Sequence, residues 1–506
     1  MAAKPMVLVL NRQMIKILED MGTPDDWFLT LQEAALTKLR SVTASAHNSE
    51  VFIKRQAVGD SIGLYRLFQP FIRSVVEAVV LKELRLLKHK ARIPVFKGIT
   101  LFGVMDETDL LEADQNVIPP DNHPLAELTN CIVFSSKGYR DLPSQLSGGD
   151  LDGDIFNVIW DTDAYPVRTF APADYPRVSP VDIGRPVERD DMAQFFLDFM
   201  KTDHLGVIAT RHMIMADQEA EGTSHPVCRK LAQLHSTAVD FSKTGIPVQM
   251  SEIPKGNPFR PDFMAPGPVA RIHNKSDIEL EEYVIQAAYD EDDDMEPFHK
   301  YYRSEKILGK LYRGVDERQI WQEDIQSKVQ PNEDEFWNEF LWSTLERCDK
   351  IGNLSWELWL DEARHIRLRY EEAVFSARNN YSEHPIDPLS ELEVFIGSVM
   401  NKGGVQTRRQ RDQSNKLADE FDRISTWIVG QMRAGSSSES PITSVSDQLK
   451  PLEFCLACIH VGGESNKDPA RRRREVYGEI KSFRVVAACA LLFELDLIEK
   501  GRKRKF

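Results

Sequence analysis

The chain has 506 residues, 42% of them hydrophobic, and a formal net charge of −16. That length and apolar content fit two to four packed domains and exclude an intrinsically disordered chain. The acidic excess weighs against indiscriminate binding to phosphate backbones, so any nucleic-acid channel must be built from local basic surface.

Six cysteines without framework spacing exclude a disulfide scaffold and fit a reducing intracellular compartment. No apolar run is long enough to span a membrane. The short run Met6–Leu10 is cut off by Asn11-Arg12-Gln13, too early for a signal peptide. No internal repeat is present.

Taken in order, residues 12–90 read as mainly helical: Ile15, Leu18, Phe28 and Leu31, then Ile72, Val75, Val76, Val79 and Val80, recur at near-helical spacing. Gly22-Thr23-Pro24 marks a break, and Pro24 with acidic Asp25-Asp26 suits the start of a following helix. Between 82 and 97 lie Lys82, Arg85, Lys88, Lys90, Arg92 and Lys97 against only Glu83. This is either a patch facing nucleic-acid phosphate or a solvated helix face followed by a strand. From 93 to 160 the pattern changes to short strands punctuated by Gly, Pro and Asn.

Within that region stands Ser147-Gly-Gly-Asp-Leu-Asp-Gly-Asp154. Asp150, Asp152 and Asp154 alternate with Leu151 and Gly153, so an extended backbone would turn three carboxylates to one side. Their mutual repulsion is relieved by a divalent cation, and hard oxygen donors favour Mg²⁺ or Ca²⁺. Ser147, Gly148 and Gly149 leave an uncluttered approach for a ligand. A solvated acidic turn is the ordinary alternative. Against it, the motif is flanked by Cys131–Phe134 and by Ile155–Trp160, β-branched and aromatic runs of the kind core strands have. A helix-loop-helix calcium loop starting at Asp150 would place Asp161 at its twelfth position, but Ile155 stands where the sixth-position glycine is required.

Residues 190–250 return to helix, with Phe195-Phe196-Leu197 and Leu231, Leu234 and Ala238 as expected buried stripes. Asp240 and Lys243 stand three apart and could pair on a helix, and His235 reads as a half-buried structural histidine. Asp290–Asp294 reads as an exposed acidic linker, 334–376 as Trp- and Leu-rich helix, and 434–440 as a flexible connection. Cys455-x-x-Cys458 with His460 could be half of a zinc site, but the surrounding run is apolar and buried packing is the better account. Arg471–Arg474 and the terminal basic run could serve nuclear import or RNA contact, or simply be solvated.

The run Cys131–Asp161 resembles the catalytic segment of eukaryotic cellular RNA-dependent RNA polymerases of the RNA-silencing family. The likeness continues in order through Leu10-Asn-Arg-Gln13, Leu101-Phe-Gly-Val-Met-Asp-Glu-Thr108, Leu231–Ser236, Ala238–Gly245 and Lys306–Arg313. Six colinear matches are hard to obtain by chance. No motif is placed after residue 320.

The resemblance implies an α+β fold: a double-psi β-barrel catalytic core, complete or short of a strand, flanked by mostly helical domains. The expected divisions are a helical connector over 1–92, the barrel over 93–175, a helical segment packing on it over 176–289, and a helical carboxy-terminal domain over 296–506. It implies Asp150, Asp152 and Asp154 as catalytic ligands of Mg²⁺, with Lys137, Arg140 and Lys243 toward RNA or substrate phosphate. As single residues, Lys137 and Arg140 could equally be solvated loop cations, and for Lys243 the pair with Asp240 is the simpler reading. The implied partners are RNA template and product, ribonucleoside triphosphates and silencing-pathway proteins. The implied place is the nucleus or cytoplasm, with no membrane.

Two departures stand out. Family members carry a long amino-terminal half with a second barrel, to which nothing here corresponds, so the chain reads as a truncated carboxy-terminal catalytic half. Between Asp114 and Pro124 a strand-forming stretch of the family is shortened, with Leu125 where a glycine is expected. The leading reading is therefore an RNA-directed RNA polymerase. An inactive fragment that binds only RNA or protein is the second. A Mg²⁺-dependent nuclease is the third, and no positioned His or Glu for activating water supports it.

Overall fold

A computed structural model describes residues 6–64, 67, 70–113, 122–146, 148–174, 178–267, 270–272, 278–280, 300–326, 332–352, 354–382, 388–400, 408–434, 445–464 and 480–503. Ser147, residues 115–121 of the shortened stretch, Asp290–Asp294, most of the 434–440 connection, Arg471–Arg474 and the last three residues lie outside the described residues. The chain divides into two units: residues 1–35, 86–265 and 285–315 form the first, and residues 36–85, 266–284 and 316–506 the second.

Strand β1 (Met6–Val9) leads into helix α1 (Arg12–Asp20), whose first turn is capped by the Asn11 side chain accepting from the Met14 amide at 2.8 Å. Helix α2 (Asp25–Arg40) begins where the Gly22-Thr23-Pro24 break predicts, with Asp25 and Asp26 against the positive end of its dipole. Helices α3 (Ala46–Gln56) and α4 (Pro70–Lys90) complete the helical stretch. Ile15, Phe28, Leu31, Ile72, Val75, Val76, Val79 and Val80 are all buried, as the helical periodicity requires.

Strand β2 (Pro94–Met105) is the spine of the first unit's sheet. It pairs antiparallel with β1 (Met6 opposite Thr100), parallel with β3 (Cys131–Phe134; Phe102 opposite Cys131) and antiparallel with β4 (Ile155–Ile159; Thr100 opposite Asn157). Because β4 faces Ile99–Phe102, which β1 and β3 also reach, β1 and β3 share one edge of β2 and β4 takes the other. Three strands pair with this one spine and leave open edges, so among the described residues no closed barrel forms, closure needing every strand paired on both sides. The short helix α5 (Leu142–Gln145) bridges β3 and β4.

Helices α6 (Arg189–Thr202), α7 (Leu205–Gln218), α8 (Pro226–Val239) and α9 (Phe241–Thr244) follow. Leu231 packs with Ile208, Val248 and Ile253, and Leu234 and Ala238 lie against that cluster, as their spacing predicts. The Phe195-Phe196-Leu197 stripe is a correction: α6 buries no residue, and Phe196 is 61% exposed. Three consecutive residues point around a helix at 100° steps and cannot share one buried face. Only Phe195 finds a ring partner on its own side, stacking on Phe241 at 5.1 Å with Phe199 at 5.7 Å.

Strand β5 (Phe259–Pro261) belongs to the first unit, and β6 (Ala270–Ile272) pairs antiparallel with β7 (Ile278–Leu280) in the second. Strand β8 (Lys300–Tyr302) pairs parallel with β5 and leads to helix α10 (Ile307–Arg313). Several residues of the recognised motifs turn out to be internal struts. Arg12 is half-buried, donates to the carbonyls of His89 and Phe263, and has its pKa lowered to about 10 by desolvation. Buried Lys16 is held by Glu19 and Asp20 at 2.8 and 2.6 Å. Lys306 donates to the Ala216 carbonyl at 2.8 Å, and buried Asp217 accepts from Tyr302 and Ser304 at 2.6 and 2.8 Å.

The second unit is helical after residue 316: α11 (Glu317–Ile320), α12 (Glu333–Asp349), α13 (Leu360–Asn380), α14 (Glu391–Ile396), α15 (Arg408–Ala434), α16 (Val445–Gly462) and α17 (Ser482–Lys503). Cys455 and Cys458 are fully buried in α16, and burial pushes both thiols well up from their ordinary value. His460 packs on Trp356 at 5.0 Å. These are packing residues: among the described residues no third metal-ligating group joins the two cysteines. No helix among the described residues is long and apolar enough to cross a membrane.

Candidate metal centre

The aspartate loop runs from the end of α5 to the start of β4. Asp141 caps α5, accepting from the Ser144 amide at 2.7 Å, and Arg140 clamps the helix through Ser144 Oγ at 2.9 Å and its carbonyl at 3.0 Å. Gly148 takes a left-handed φ of +71°, and a Cβ at Gly149 would sit 3.2 Å from the Pro143 carbonyl oxygen. The chain then bends rather than extending: Gly153 has φ +139°, the Asp150 amide donates to Asp154 Oδ2 at 3.0 Å, and the Asp152 amide points to Asp150 Oδ1 at 3.4 Å. The three carboxylates converge through this bend and not through strand alternation, which is a correction to the sequence-based geometry.

One carboxylate oxygen from each of Asp150, Asp152 and Asp154 lies within 4.8 Å of the other two, and all three residues are exposed. Among the described residues no other group of three His, Cys, Asp or Glu comes as close. All donors are hard oxygens, which fits a divalent cation of the Mg²⁺ or Ca²⁺ type. Two ligands on opposite sides of one Mg²⁺ are about 4.2 Å apart, and on one Ca²⁺ about 5 Å.

The loop is anchored from below. Leu151 and Phe156 both close on Gly103 of β2: a Cβ there would lie 2.8 Å from Leu151 Cδ2 and 2.4 Å from Phe156 Cε2. Phe156 in turn packs on Phe134 with ring centroids 4.7 Å apart, and the Gly103 amide donates to the Asp154 carbonyl at 3.3 Å. Where β2 ends, buried Asp106 accepts from Thr108 Oγ1 at 2.6 Å and from the Leu111 amide at 2.7 Å, folding residues 106–111 into a tight turn. Those bonds, Thr108 first, hold its carboxyl below the usual range. Gly103 thus supports the loop through Leu151, Phe156 and the Asp154 carbonyl, while Asp106 fixes the turn that follows β2. The Asp-x-Thr spacing of an Asx turn was legible in the sequence, but the contact at Gly103 was not.

Asp161 is buried and unavailable to the loop. Its carboxylate accepts from Trp27 Nε1 at 3.1 Å and Lys97 Nζ at 3.0 Å, which together lower its pKa. That removes the twelfth ligand of the calcium-loop alternative, whose flank is moreover strand β4. Asp161→Ala is expected to cost about 1–3 kcal/mol, because the buried Trp27 N–H loses its acceptor. The sign with pH is fixed by the depressed carboxyls. Asp161 and Asp106 stabilise fully above their unfolded value near 4, and this is lost as pH falls through the lower folded value. Urea unfolding at pH 7 and pH 3 should show the Asp161→Ala deficit shrinking in acid; an undiminished deficit contradicts the assignment.

The expected cations distribute unevenly. Lys137 is held by Glu112 at 2.8 Å and the Asp109 carbonyl at 2.9 Å, and Glu112 raises its pKa. Arg140 also reaches the Ala173 carbonyl at 2.8 Å. Neither is a free loop cation, and both line a cavity of about 330 Å³ with Tyr139 and Gln145. Lys243 does join the carboxylates: its ammonium is 3.9 Å from Asp150 and 3.7 Å from Asp152, in place of the expected pair with Asp240. Three cations of the basic run 82–97 have partners within the fold, Arg85 facing Glu317 at 3.6 Å, Lys88 lying over the Tyr312 ring at 5.0 Å, and the exposed Lys97 on Asp161. His235 is half-buried, with its pKa lowered by burial, as a structural histidine should be.

The molecule so described carries an exposed cluster of three carboxylates between α5 and β4 of an open sheet, within an α+β chain. A family model, RNA dependent RNA polymerase, matches residues 1–119 and 115–315, and the chain belongs to the RNA-dependent RNA polymerase family. It is 30% identical over 487 residues to RNA-dependent RNA polymerase 1 of Schizosaccharomyces pombe, covering 82% of this chain and 36% of that protein. It is 25% identical over 454 residues to RNA-dependent RNA polymerase 1 of Arabidopsis thaliana, covering 80% and 36%. The chain thus spans about a third of the length of these two relatives. The solved structure of RNA dependent RNA polymerase QDE-1 from Thielavia terrestris aligns with 94% of this chain and 60% of its own, at 14% identity and a TM-score of 0.42.

Proposed function

We propose that this chain carries the catalytic carboxylates of an RNA-directed RNA polymerase, joining ribonucleoside triphosphates opposite an RNA template. The observation that supports this most is the convergence of Asp150, Asp152 and Asp154 within 4.8 Å in a member of that family. The three carboxylates would hold Mg²⁺. When bound, the metal supplies charge neutralisation for the attacking hydroxyl and the triphosphate, the main requirement of phosphoryl transfer. The chain's own contributions are positional. Leu151 and Phe156 seat the loop on Gly103, Gly149 lets it pass close to the Pro143 carbonyl, and Lys243 offers a nearby cation. Lys137 and Arg140, in their cavity, are candidate contacts for RNA phosphate. Completion of a double-psi barrel belongs to this reading, as does double-stranded RNA for gene silencing, with silencing-pathway proteins as partners in the nucleus or cytoplasm.

A binding-only role is the second reading. It is favoured by the pairing of Arg85, Lys88 and Lys97 within the fold, which leaves less of the 82–97 run to meet phosphate. Incubating the chain with an RNA template, labelled ribonucleotides and Mg²⁺ separates the two. Template-dependent, chelator-sensitive incorporation supports the polymerase. RNA binding without incorporation supports the second reading, and shortening of the RNA indicates a nuclease.

A further inference from the structure

Resting on the metal-binding reading of the triad, we propose that Lys243 is a built-in counter-cation of the carboxylate cluster, which a divalent ion must displace. Its ammonium faces two of the three carboxylates at 3.9 and 3.7 Å. Both distances exceed a charge-assisted hydrogen bond, so the contact is Coulombic and readily surrendered. The side chain is 63% exposed, which leaves its four-carbon stem free to swing.

The backbone beneath it is held. Phe241 is buried and stacks against Phe195 and Phe199, the Thr244 carbonyl accepts from the Val181 amide at 2.9 Å, and Gly245 ends α9 at φ +72°. A fixed anchor with a mobile charge keeps the ammonium close to the loop in every state. Without metal it offsets one of three crowded negative charges. A divalent ion needs the same oxygens and repels the ammonium, so metal affinity is set by competition. Once displaced, the tethered charge stays within reach of the phosphate oxygens that a nucleotide would bring.

Titration of the whole chain with Mn²⁺, followed by electron paramagnetic resonance of the free ion, tests this. Lys243→Met and Lys243→Gln should each bind Mn²⁺ roughly three- to tenfold more tightly than the parent, the effect of losing one or two solvent-screened ion pairs. Lys243→Arg should stay within about twofold of the parent, because it keeps the competing charge. Unchanged or weaker binding in both neutral variants overturns the proposal, while leaving the metal site standing if Asp152→Ala still abolishes binding. If Asp152→Ala has no effect on Mn²⁺ affinity, the metal reading falls, and the Lys243 proposal with it.

Discussion

Replacing Asp152 by alanine is expected to lower template-directed nucleotide incorporation by about a thousandfold or more, equivalent to roughly 4 kcal/mol of transition-state stabilisation. The fold should survive. Asp152 is exposed, its amide interaction with Asp150 is made by the backbone, and no buried donor depends on its carboxylate. Removing one of three crowded negative charges relieves repulsion, so urea stability should be unchanged or slightly raised, within about 0.5 kcal/mol. Activity and stability therefore part company at this residue. Asp161→Ala should show the opposite pattern, costing stability through Trp27. An Asp152→Ala protein that kept its incorporation rate would remove the triad from the chemistry. One that unfolded would mean that the loop is a structural element first.

The second large effect is expected at Gly103. Valine there would drive its Cβ to within 2.4 Å of Phe156 and 2.8 Å of Leu151, and neither can retreat cheaply. Phe156 is backed by Phe134, and Leu151 carries the aspartate loop. Overpacking of this kind costs about 1–3 kcal/mol, and valine should lie at the top of that range or beyond it. Strain released through Leu151 should also spread the carboxylates, so Mn²⁺ affinity should fall along with the unfolding midpoint. Gly206→Ala is the matched control. Its Cβ would meet nothing within 4 Å and its site lies near the start of α7, so stability should be unchanged or higher by about 0.4–1 kcal/mol. Equal urea midpoints for the two variants would show that the loop is not seated on β2 in this way.

Both predictions concern the same few residues, yet these differed sharply in how far the amino-acid order revealed them. The Asp-x-Asp-Gly-Asp motif and its flanking strands were legible, because turn chemistry and β-branched runs act over a few residues. The helical stretch before the sheet and the Leu231, Leu234 and Ala238 stripe were legible for the same reason, periodicity being a local property. Phe195-Phe196-Leu197 misled because hydrophobicity without the right spacing does not define a buried face.

What only the tertiary structure decided is which charges meet. Lys137 and Arg140, nearest the motif in sequence, are tied to Glu112, Ser144 and Ala173, while Lys243, far along the chain, stands at the carboxylates. The 82–97 run looked like basic surface, yet Arg85, Lys88 and Lys97 of it meet Glu317, Tyr312 and Asp161. The three aspartates themselves converge by a bend at Gly153 that alternation along a strand did not foresee. Composition and local pattern dictate which side chains are present and which backbone each segment prefers. Electrostatic pairing falls off with distance in space and not along the chain, so its partners are chosen only when the sheet and helices have packed.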